Sequence, residues 1–254
     1  MAEEPAPDGF LGGLLRLRQP PRGAHRAGSD AVLLAQAMPI EAGARVVDLG
    51  AGTGAVGLAV AALVPDCTVT LVERDAGFAG LARENAALNA LTGRVRIVEA
   101  DVLAPAAARR LAGLLPESAD ILLTNPPFFE AGAGRSSPNA ARRAAHHMEG
   151  GDLDGWLRTC ADLLRPAGRL GLIHRADALP ACLAALGNRF GGVQVRPIHP
   201  RVGDPAIRIL LTATKGSRAP FGILPPVVLH DEAGRFTPDV EALHRPAAPI
   251  PAKT

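Results

Sequence analysis

The chain has 254 residues, 48% of them apolar, and a formal net charge of +2 at pH 7. This size and composition predict one well-formed core, or one domain with additions. The acidic start lacks the apolar segment of a signal peptide, and no apolar run approaches the roughly 20 residues of a membrane span. The three cysteines form no CxxC pair and no metal-ligand cluster, which predicts buried thiols, a cytoplasmic location and no metal site.

The basic residues are almost all arginines, and many of them lie in two segments of the sequence. They are Arg16, Arg18, Arg22 and Arg26 in the first segment, and Arg135, Arg142 and Arg143 in the second. A solvated arginine face is the simpler interpretation. Two basic clusters beside a pocket also suit the phosphate backbone of a nucleic acid, and we favour that interpretation.

The first part of the chain is predicted as an arm that precedes a folded domain. We assign residues 1–26 to a basic N-terminal arm that is partly flexible, residues 27–245 to a single domain and residues 246–254 to a C-terminal tail. In the first helix of the domain, either Ser29 or Asp30 serves as the N-cap, and Pro39 ends the helix.

From residue 45 onwards, short apolar strands alternate with amphipathic helices. The predicted strands lie at residues 45–49, 68–72, 95–98, 121–123, 170–173, 193–195 and 207–211. This alternation predicts a parallel, doubly wound α/β sheet. A loop of roughly 20 residues ends near Gly150, and connections of that length are often functional. In the helix that follows, Trp156 lies on the apolar side and is predicted as a core residue.

Several polar residues are placed where the predicted strands end. Residues 52–57 match the dinucleotide pattern GxGxxG, a weak signal by itself. Asp48 is placed to attract an ammonium group, Glu73 to bind a ribose diol, and Asp101 to accept from an adenine amine. The three groups together describe S-adenosylmethionine. The simpler alternatives are a helix cap for Asp48 and solvated strand ends for the other two carboxylates.

The fourth strand leads directly into Asn125, Pro126, Pro127 and Phe128. The prolines fix the backbone and remove donors, and Pro126 keeps Asn125 out of the helical region. The corner therefore offers amide and carbonyl oxygens to an NH2 group, beside an aromatic ring. An ordinary turn is the better interpretation of an isolated Asn-Pro-Pro. The neighbouring glycine turn and carboxylates favour a functional one.

Two motifs together resemble a known enzyme superfamily. The segments Val47-Asp48-Leu49-Gly50-Ala51-Gly52-Thr53-Gly54 and Thr124-Asn125-Pro126-Pro127-Phe128 resemble class I S-adenosylmethionine-dependent methyltransferases of the Asn-Pro-Pro-aromatic type. Residues 28–35, with Gln19 before them, and residues 125–144 resemble the bacterial tRNA(Val) adenine-N6-methyltransferase family. The resemblance covers about residues 10 to 245. The chain departs from that family in residues 23–27, which lack the aromatic residues of the family, and it contains no tyrosine.

This resemblance implies a Rossmann-like class I methyltransferase fold with seven strands, mostly parallel, and an antiparallel last strand. It implies S-adenosylmethionine as the cofactor and an anticodon-loop adenine of tRNA(Val) as the acceptor. The implied cofactor-binding residues are Asp30, Asp48, Gly50, Gly52, Gly54, Glu73 and Asp101, and the implied catalytic residues are Asn125, Pro126, Pro127 and Phe128. Positioning and electrostatic preorganisation would supply most of the rate, with Phe128 stacking on the base and the arginines of both basic segments contacting the tRNA.

Other functions share some of these motifs. A protein-glutamine methyltransferase that acts on release factors resembles the chain at the Asn-Pro-Pro corner, but about 44 residues before the first predicted strand are too few for its helical domain. A ribosomal-RNA guanine-N2 methyltransferase often has a duplicated domain, for which this length is too short, although single-domain versions exist. A DNA adenine methyltransferase normally has a target-recognition region, and no segment here is long enough for one. A dinucleotide-binding oxidoreductase or an idle cofactor-binding module explains the glycine turn alone.

Overall fold

A mixed β-sheet with helices on both faces forms the centre of the computed structural model, which describes residues 6–20, 26–127 and 152–246. The strands are β1 (Asp8–Phe10), β2 (Leu15–Leu17), β3 (Arg45–Leu49), β4 (Thr68–Glu73), β5 (Val95–Glu99), β6 (Ala119–Thr124), β7 (Leu164–Arg175), β8 (Phe190–His199), β9 (Arg208–Lys215), β10 (Gly222–Ile223) and β11 (Val227–Val228). The helices are α1 (Ser29–Ala35), α2 (Ala55–Leu63), α3 (Ala76–Leu88), α4 (Ala106–Leu111), α5 (Asp152–Leu163), α6 (Leu179–Leu186) and α7 (Pro238–His244).

The order of the strands is that of a doubly wound sheet with one antiparallel insertion. The path runs β10-β8-β9-β7-β6-β3-β4-β5, and β11 also pairs with β8. Strands β3 to β7 are parallel to one another, whereas β9 lies between β7 and β8 and is antiparallel to both. The predicted arrangement of seven strands with an antiparallel last strand is therefore confirmed for β3 to β9. Two short strands, β10 and β11, add to it by pairing with β8.

Alternate residues of the central strands enter two separate cores. In β6, Leu122 belongs to the core under α5 and α6, while Leu123 belongs to the core under α1 and α2. In β7, Leu172 and Ile173 divide in the same way. A strand that is covered on both faces has a continuous run of apolar residues in its sequence, because successive side chains point to opposite faces. None of the described helices has the length and hydropathy that a membrane span requires.

The N-terminal residues contribute to the same core as the rest of the domain. Strands β1 and β2 form an antiparallel hairpin, and both Leu15 and Leu17 are buried. Helix α3 holds β2 through two amide side chains: Asn89 bonds the backbone of Arg16, and Asn85 bonds the backbone of Arg18. Basic residues of the predicted arm are thus attached to the folded domain. The division of the chain at residues 26 and 245 stays a prediction.

The start of α1 differs from the expected one. The N-cap is Gly28, with no side-chain capping bond, and the helix begins at Ser29. The prediction of Ser29 or Asp30 as the cap is therefore wrong, because both residues already lie within the first turn. The carboxylate of Asp30 instead accepts a hydrogen bond from Nε of Arg208, at 2.9 Å.

Close contact between α2 and the sheet requires a glycine at position 57. A Cβ on Gly57 would meet the side chain of Leu71, and it would lie 2.9 Å from Cγ1 of Val69 and 3.2 Å from Cβ of Asp48. Absence of a side chain therefore lets the first turn of α2 pack directly on β3 and β4.

We expect Gly57→Ala to lower the free energy of unfolding by about 1–3 kcal/mol, since overpacking outweighs the gain in helix propensity. Urea denaturation measures this change. Gly80→Ala is the matched control, because Gly80 lies inside α3 and an added Cβ there meets nothing within 4 Å. The control should leave stability unchanged or raise it by up to about 1 kcal/mol. Equal effects of the two substitutions would contradict the packing argument.

Candidate active site at the carboxyl edge of the sheet

The turn between β3 and α2 is built from three glycines in the left-handed region. Their φ angles are 77° at Gly50, 54° at Gly52 and 84° at Gly54, values that other residues adopt only with strain. The backbone N–H groups of Gly50 and Ala51 both donate to the carbonyl oxygen of Val72, at 2.9 Å. The turn thus lies over the end of β4, with its backbone at the edge where parallel sheets bind ligands.

Glu73 holds the glycine turn from the neighbouring strand. Its Oε2 accepts from the backbone N–H of Gly52 at 2.9 Å, and its Oε1 accepts from that of Asp75 at 2.8 Å. The carboxylate is therefore beside the turn rather than at a freely solvated strand end. Its predicted contact with a ribose diol stays a prediction.

Asp48 is a buried carboxylate that caps a helix from outside. Only 2% of the residue is exposed, and its Oδ2 accepts from the backbone N–H of Gly57 in the first turn of α2, at 2.8 Å. Burial raises the pKa of Asp48 to about 7; the hydrogen bond from Gly57 opposes this rise and the charge of Glu73 adds to it. The helix-cap alternative is therefore observed. Contact with an ammonium group stays a prediction, and a bound cation would favour the ionised form.

Asp101 lies two residues beyond the end of β5, in an exposed turn. Its Oδ1 accepts from the backbone N–H of Leu103 at 2.8 Å. The N–H of Ala100 donates to the carbonyl of Glu73 at 3.1 Å, which keeps this turn next to the end of β4. The three predicted carboxylates therefore belong to three adjacent strand ends. The role of Asp101 toward an adenine amine stays a prediction.

The Asn-Pro-Pro corner lies directly beside the glycine turn. Thr124, the last residue of β6, pairs with Leu49, the last residue of β3. Asn125 and Pro127 are half-buried and Pro126 is buried. Phe128 lies outside the described residues. The structure therefore brings the two motifs of the sequence together at neighbouring strand ends.

Thr124 and Trp156 form a buried link at this corner that the sequence did not reveal. Oγ1 of Thr124 donates to the carbonyl oxygen of Leu49 at 2.8 Å, and Nε1 of Trp156 donates to Oγ1 at 2.9 Å. Trp156 is 6% exposed, so its predicted place in the core is confirmed. Its spacing on α5 carried no sign of the hydrogen bond.

Asn85 was also missed, although a polar residue on the apolar side of a helix was a usable signal. It is fully buried. Its Oδ1 accepts from the backbone N–H of Arg18 at 2.6 Å, and its Nδ2 donates to the carbonyls of Arg18 and Thr53, both at 3.0 Å. One side chain therefore joins Arg18, which directly follows the β1–β2 hairpin, to the glycine turn.

Another buried residue outside the predicted set is His174, near the end of β7. Its Nδ1 accepts from the backbone N–H of Arg175 at 2.9 Å. Burial, with a contribution from the charge of Arg175, lowers the pKa of His174 to about 4. The ring is therefore neutral at physiological pH.

Arg208 begins the antiparallel β9 opposite Arg175, so its partner Asp30 also lies at the carboxyl edge of the sheet.

Of the arginines predicted to contact tRNA, the structure describes Arg16, Arg18 and Arg26, which lie in or next to the β1–β2 hairpin. Arg16 is exposed, Arg18 lies 3.8 Å from a carboxylate oxygen of Glu84, and Arg26 bonds Asp8 and the carbonyl of Pro20. Arg22, Arg135, Arg142 and Arg143 lie outside the described residues. Among the described side chains, no group of three or more His, Cys, Asp or Glu residues could hold a metal ion.

Residues 25–195 match the family model of the methyltransferase small domain. The chain belongs to this family. The tRNA1(Val) (adenine(37)-N6)-methyltransferase of Aeromonas hydrophila is 31% identical over 221 residues, which are 85% of this chain and 87% of that protein. The protein of the same name from Bacteroides thetaiotaomicron is 30% identical over 75% of this chain and 77% of its own length. A crystal structure from Agrobacterium tumefaciens, described as a predicted O-methyltransferase, is 37% identical, with a TM-score of 0.74 over 87% of this chain and 98% of that one.

These relationships confirm the class I methyltransferase fold and the methyltransferase activity that the two motifs indicate. They decide against the dinucleotide-binding oxidoreductase as an interpretation of residues 52–57. The family and the fold imply S-adenosylmethionine as the cofactor. The left-handed glycine turn, the flanking carboxylates and the N-terminus of α2 fit such a ligand, since it carries an ammonium group, a ribose diol and an adenine.

We expect cofactor affinity to rise about tenfold between pH 5.5 and 7, if Asp48 contacts the ammonium group. Its pKa of about 7 leaves the carboxyl protonated at the lower pH, and binding must then release that proton. This range lies below the titration of an α-amino group. Calorimetry with S-adenosylhomocysteine in two buffers of different ionisation enthalpy measures both affinity and proton release.

Asp48→Asn should abolish this pH dependence, because an amide still accepts from the N–H of Gly57 but does not titrate. Asp101→Asn is the control for a carboxylate at the same edge, and should keep the dependence. Equal affinity of the unchanged protein at both pH values would rule out the contact between Asp48 and the ammonium group.

Proposed function

We propose that this protein transfers the methyl group of S-adenosylmethionine to the exocyclic N6 of an adenine in tRNA, with adenine 37 of tRNA(Val) as the target. The observation that carries this proposal is the pairing of Leu49 with Thr124. It sets the glycine turn and the Asn-Pro-Pro corner side by side, which a direct transfer between a cofactor and an amine requires. The names of the curated relatives support adenine N6 as the acceptor.

The residues at the turn suit the cofactor in charge and shape. When bound, the cofactor would supply a methyl group on a sulfonium centre, whose carbon a nucleophile can attack while the C–S bond breaks and the neutral thioether S-adenosylhomocysteine leaves. Asp48 and Glu73 are assigned to its ammonium group and its ribose diol, and Asp101 to its adenine amine. Gly50, Gly52 and Gly54 keep the backbone open to it. Asp30 is assigned to the same edge, where Arg208 holds its carboxylate in place.

The corner performs the activation of the acceptor nitrogen. The lone pair of adenine N6 is delocalised into the ring, which makes the amine a weak nucleophile. The side-chain oxygen of Asn125 and the carbonyl of Pro126 accept its two hydrogens and favour a more tetrahedral nitrogen, while Pro127 keeps the corner rigid. Phe128 stacks on the base, which has to leave any helical stack. The proton leaves after methyl transfer, so no strongly basic side chain is required.

An amine acceptor fits this corner better than a hydroxyl acceptor. Two fixed oxygens match the two hydrogens of an NH2 group, whereas a hydroxyl has one hydrogen to donate. This argument favours nitrogen over the oxygen acceptor in the description of the Agrobacterium structure. The side-chain amide of a protein glutamine also carries two hydrogens, so the corner alone does not separate it from adenine. The relatives' names favour the adenine.

The tRNA is assigned to the side of the domain that carries the basic hairpin. Arg16, Arg18 and Arg26 lie there, with the backbone of the first two held by Asn89 and Asn85. A fixed backbone at these positions lowers the entropy cost of ordering the side chains on a phosphate. Arg22, Arg135, Arg142 and Arg143 are assigned to the same partner on the basis of charge.

The substrate is tested with labelled S-adenosylmethionine and two tRNA(Val) transcripts, one with adenine and one with guanine at position 37. We expect N6-methyladenosine in the first transcript alone, identified by mass spectrometry of the digested nucleosides. A release factor and bulk ribosomal RNA are offered in parallel reactions. Label in the release factor and none in either transcript would assign the corner to glutamine chemistry.

Asn125→Ala should lower kcat by about 100-fold or more while cofactor affinity changes little, since the amide acts on the acceptor and mostly in the transition state. Single-turnover assays and calorimetry with S-adenosylhomocysteine separate the two effects. Normal turnover by this variant would show that another group activates the amine.

Arg16→Ala should weaken tRNA binding several-fold and reduce the slope of log affinity against log salt by about 1, the effect of losing one phosphate contact. Filter binding at several salt concentrations measures both. Arg158→Ala is the matched control, because Arg158 is an exposed arginine on α5, on the opposite face of the sheet. A control with the same loss would show that only the overall charge matters.

A further inference from the structure

Trp156 makes two different contacts with the two motifs of the active site. The first contact is steric: a Cβ on Gly50 would lie 2.9 Å from Cζ2 and 3.0 Å from Cη2 of the indole. The second is polar, since Nε1 donates to Oγ1 of Thr124 at 2.9 Å. One side chain on α5 therefore lies against the first glycine of the turn and bonds the residue just before Asn125.

The direction of the hydrogen bonds is fixed by the chemistry of the groups. An indole N–H can only donate, so the Thr124 hydroxyl accepts from Trp156 and uses its own proton toward the carbonyl of Leu49, at 2.8 Å. Thr124 is fully buried, and water cannot replace either partner at low cost. The orientation of the indole thus depends on Thr124, and the hydroxyl in turn bridges β6 to β3.

Packing alone does not explain a tryptophan at this position. Among the other buried residues of α5, Leu157, Cys160 and Leu163 carry no strong donor, and the hydroxyl of Thr159 donates to the carbonyl of Val102 at 2.9 Å, away from both motifs. An aliphatic side chain at position 156 would also fill space, but it would leave the Thr124 hydroxyl without its donor. The N–H group is therefore the specific feature of Trp156.

We propose that Trp156 is a positioning residue that, through Thr124, fixes the distance between the cofactor turn and the acceptor corner. Leu49 and Thr124 each end a strand immediately before a functional segment, Gly50 in one case and Asn125 in the other. A shift of about 1 Å between the two reactants can cost a direct transfer about 100-fold in rate. This inference rests on the proposed function, since it assigns the acceptor amine to Asn125.

The test is a double-mutant cycle with Trp156→Phe and Thr124→Val. Each substitution removes one partner of the hydrogen bond and keeps most of the volume. We expect each to lower kcat about tenfold with little change in the KM of either substrate. The double variant should be no slower than Thr124→Val alone, because Trp156 acts through Thr124 and Thr124→Val already removes their hydrogen bond together with the one to Leu49. Thr124→Ser, which keeps a hydroxyl, should recover most of the activity that Thr124→Val loses.

Cys160→Ala is the matched control for a merely structural role. Cys160 is a fully buried residue on the same helix, one turn beyond Trp156, and it takes no part in the hydrogen bonds of Thr124. Its substitution should lower stability and leave kcat unchanged for the folded protein. If Trp156→Phe and Thr124→Val also lose stability without losing kcat, or if their effects on kcat simply multiply, the positioning role is overturned.

A spectroscopic readout distinguishes failure of this inference from failure of the proposed function. Trp156 is the only tryptophan in a chain without tyrosine, so native emission reports its environment directly. S-adenosylhomocysteine should change this emission with a midpoint equal to the calorimetric Kd, and Thr124→Val should shift the emission and reduce that change. Emission that responds neither to this ligand nor to Thr124→Val would overturn the inference. Failure of the tRNA assay by the unchanged protein, with the optical response intact, would overturn the acceptor instead.

Discussion

The pairing of β3 with β6 is the constraint on which the candidate active site depends. Leu49 and Thr124 are opposite each other at the ends of these strands. A shift of one residue in this register would turn every side chain of one strand to the other face of the sheet. It would separate Leu122 and Leu123 from their respective cores and move Asn125 away from the glycine turn. The two apolar cores therefore stabilise the geometry of the site.

Buried polar groups make this register specific. The Thr124 hydroxyl donates to the carbonyl of Leu49 on the neighbouring strand, and it accepts a hydrogen bond from the indole N–H of Trp156 on α5. On the other side of β3, Asp48 caps α2, and Glu73 holds Gly52. The buried groups among them, on Asp48, Thr124 and Trp156, would be costly to leave unpaired. The glycine turn is thus fixed from β4, α2 and α5 together, before any ligand binds.

The segment with Arg16 and Arg18, at the end of the β1–β2 hairpin, and the glycine turn are held by the same side chain. The side-chain amide of Asn85 donates hydrogen bonds to the carbonyl oxygens of Arg18 and Thr53. The segment that carries Arg16 and Arg18 is therefore attached to the glycine turn. The antiparallel β9 contributes in a comparable way, because it brings Arg208 to the carboxyl edge, where it pairs with Asp30.

The sequence by itself determined the features that depend on neighbouring residues. Glycines in a turn, prolines after a strand and the alternation of apolar strands with helices are local patterns, so they predicted the fold and the two motifs of the site. The resemblance of these motifs to a known superfamily implied the methyltransferase class. Hydrogen bonds between distant residues were decided by the tertiary structure. Trp156 and Thr124 are 32 residues apart, Asn85 and Arg18 are 67 apart, and Asp30 and Arg208 are 178 apart. Periodicity places such residues on a face, but only the packing of the elements decides which donor meets which acceptor.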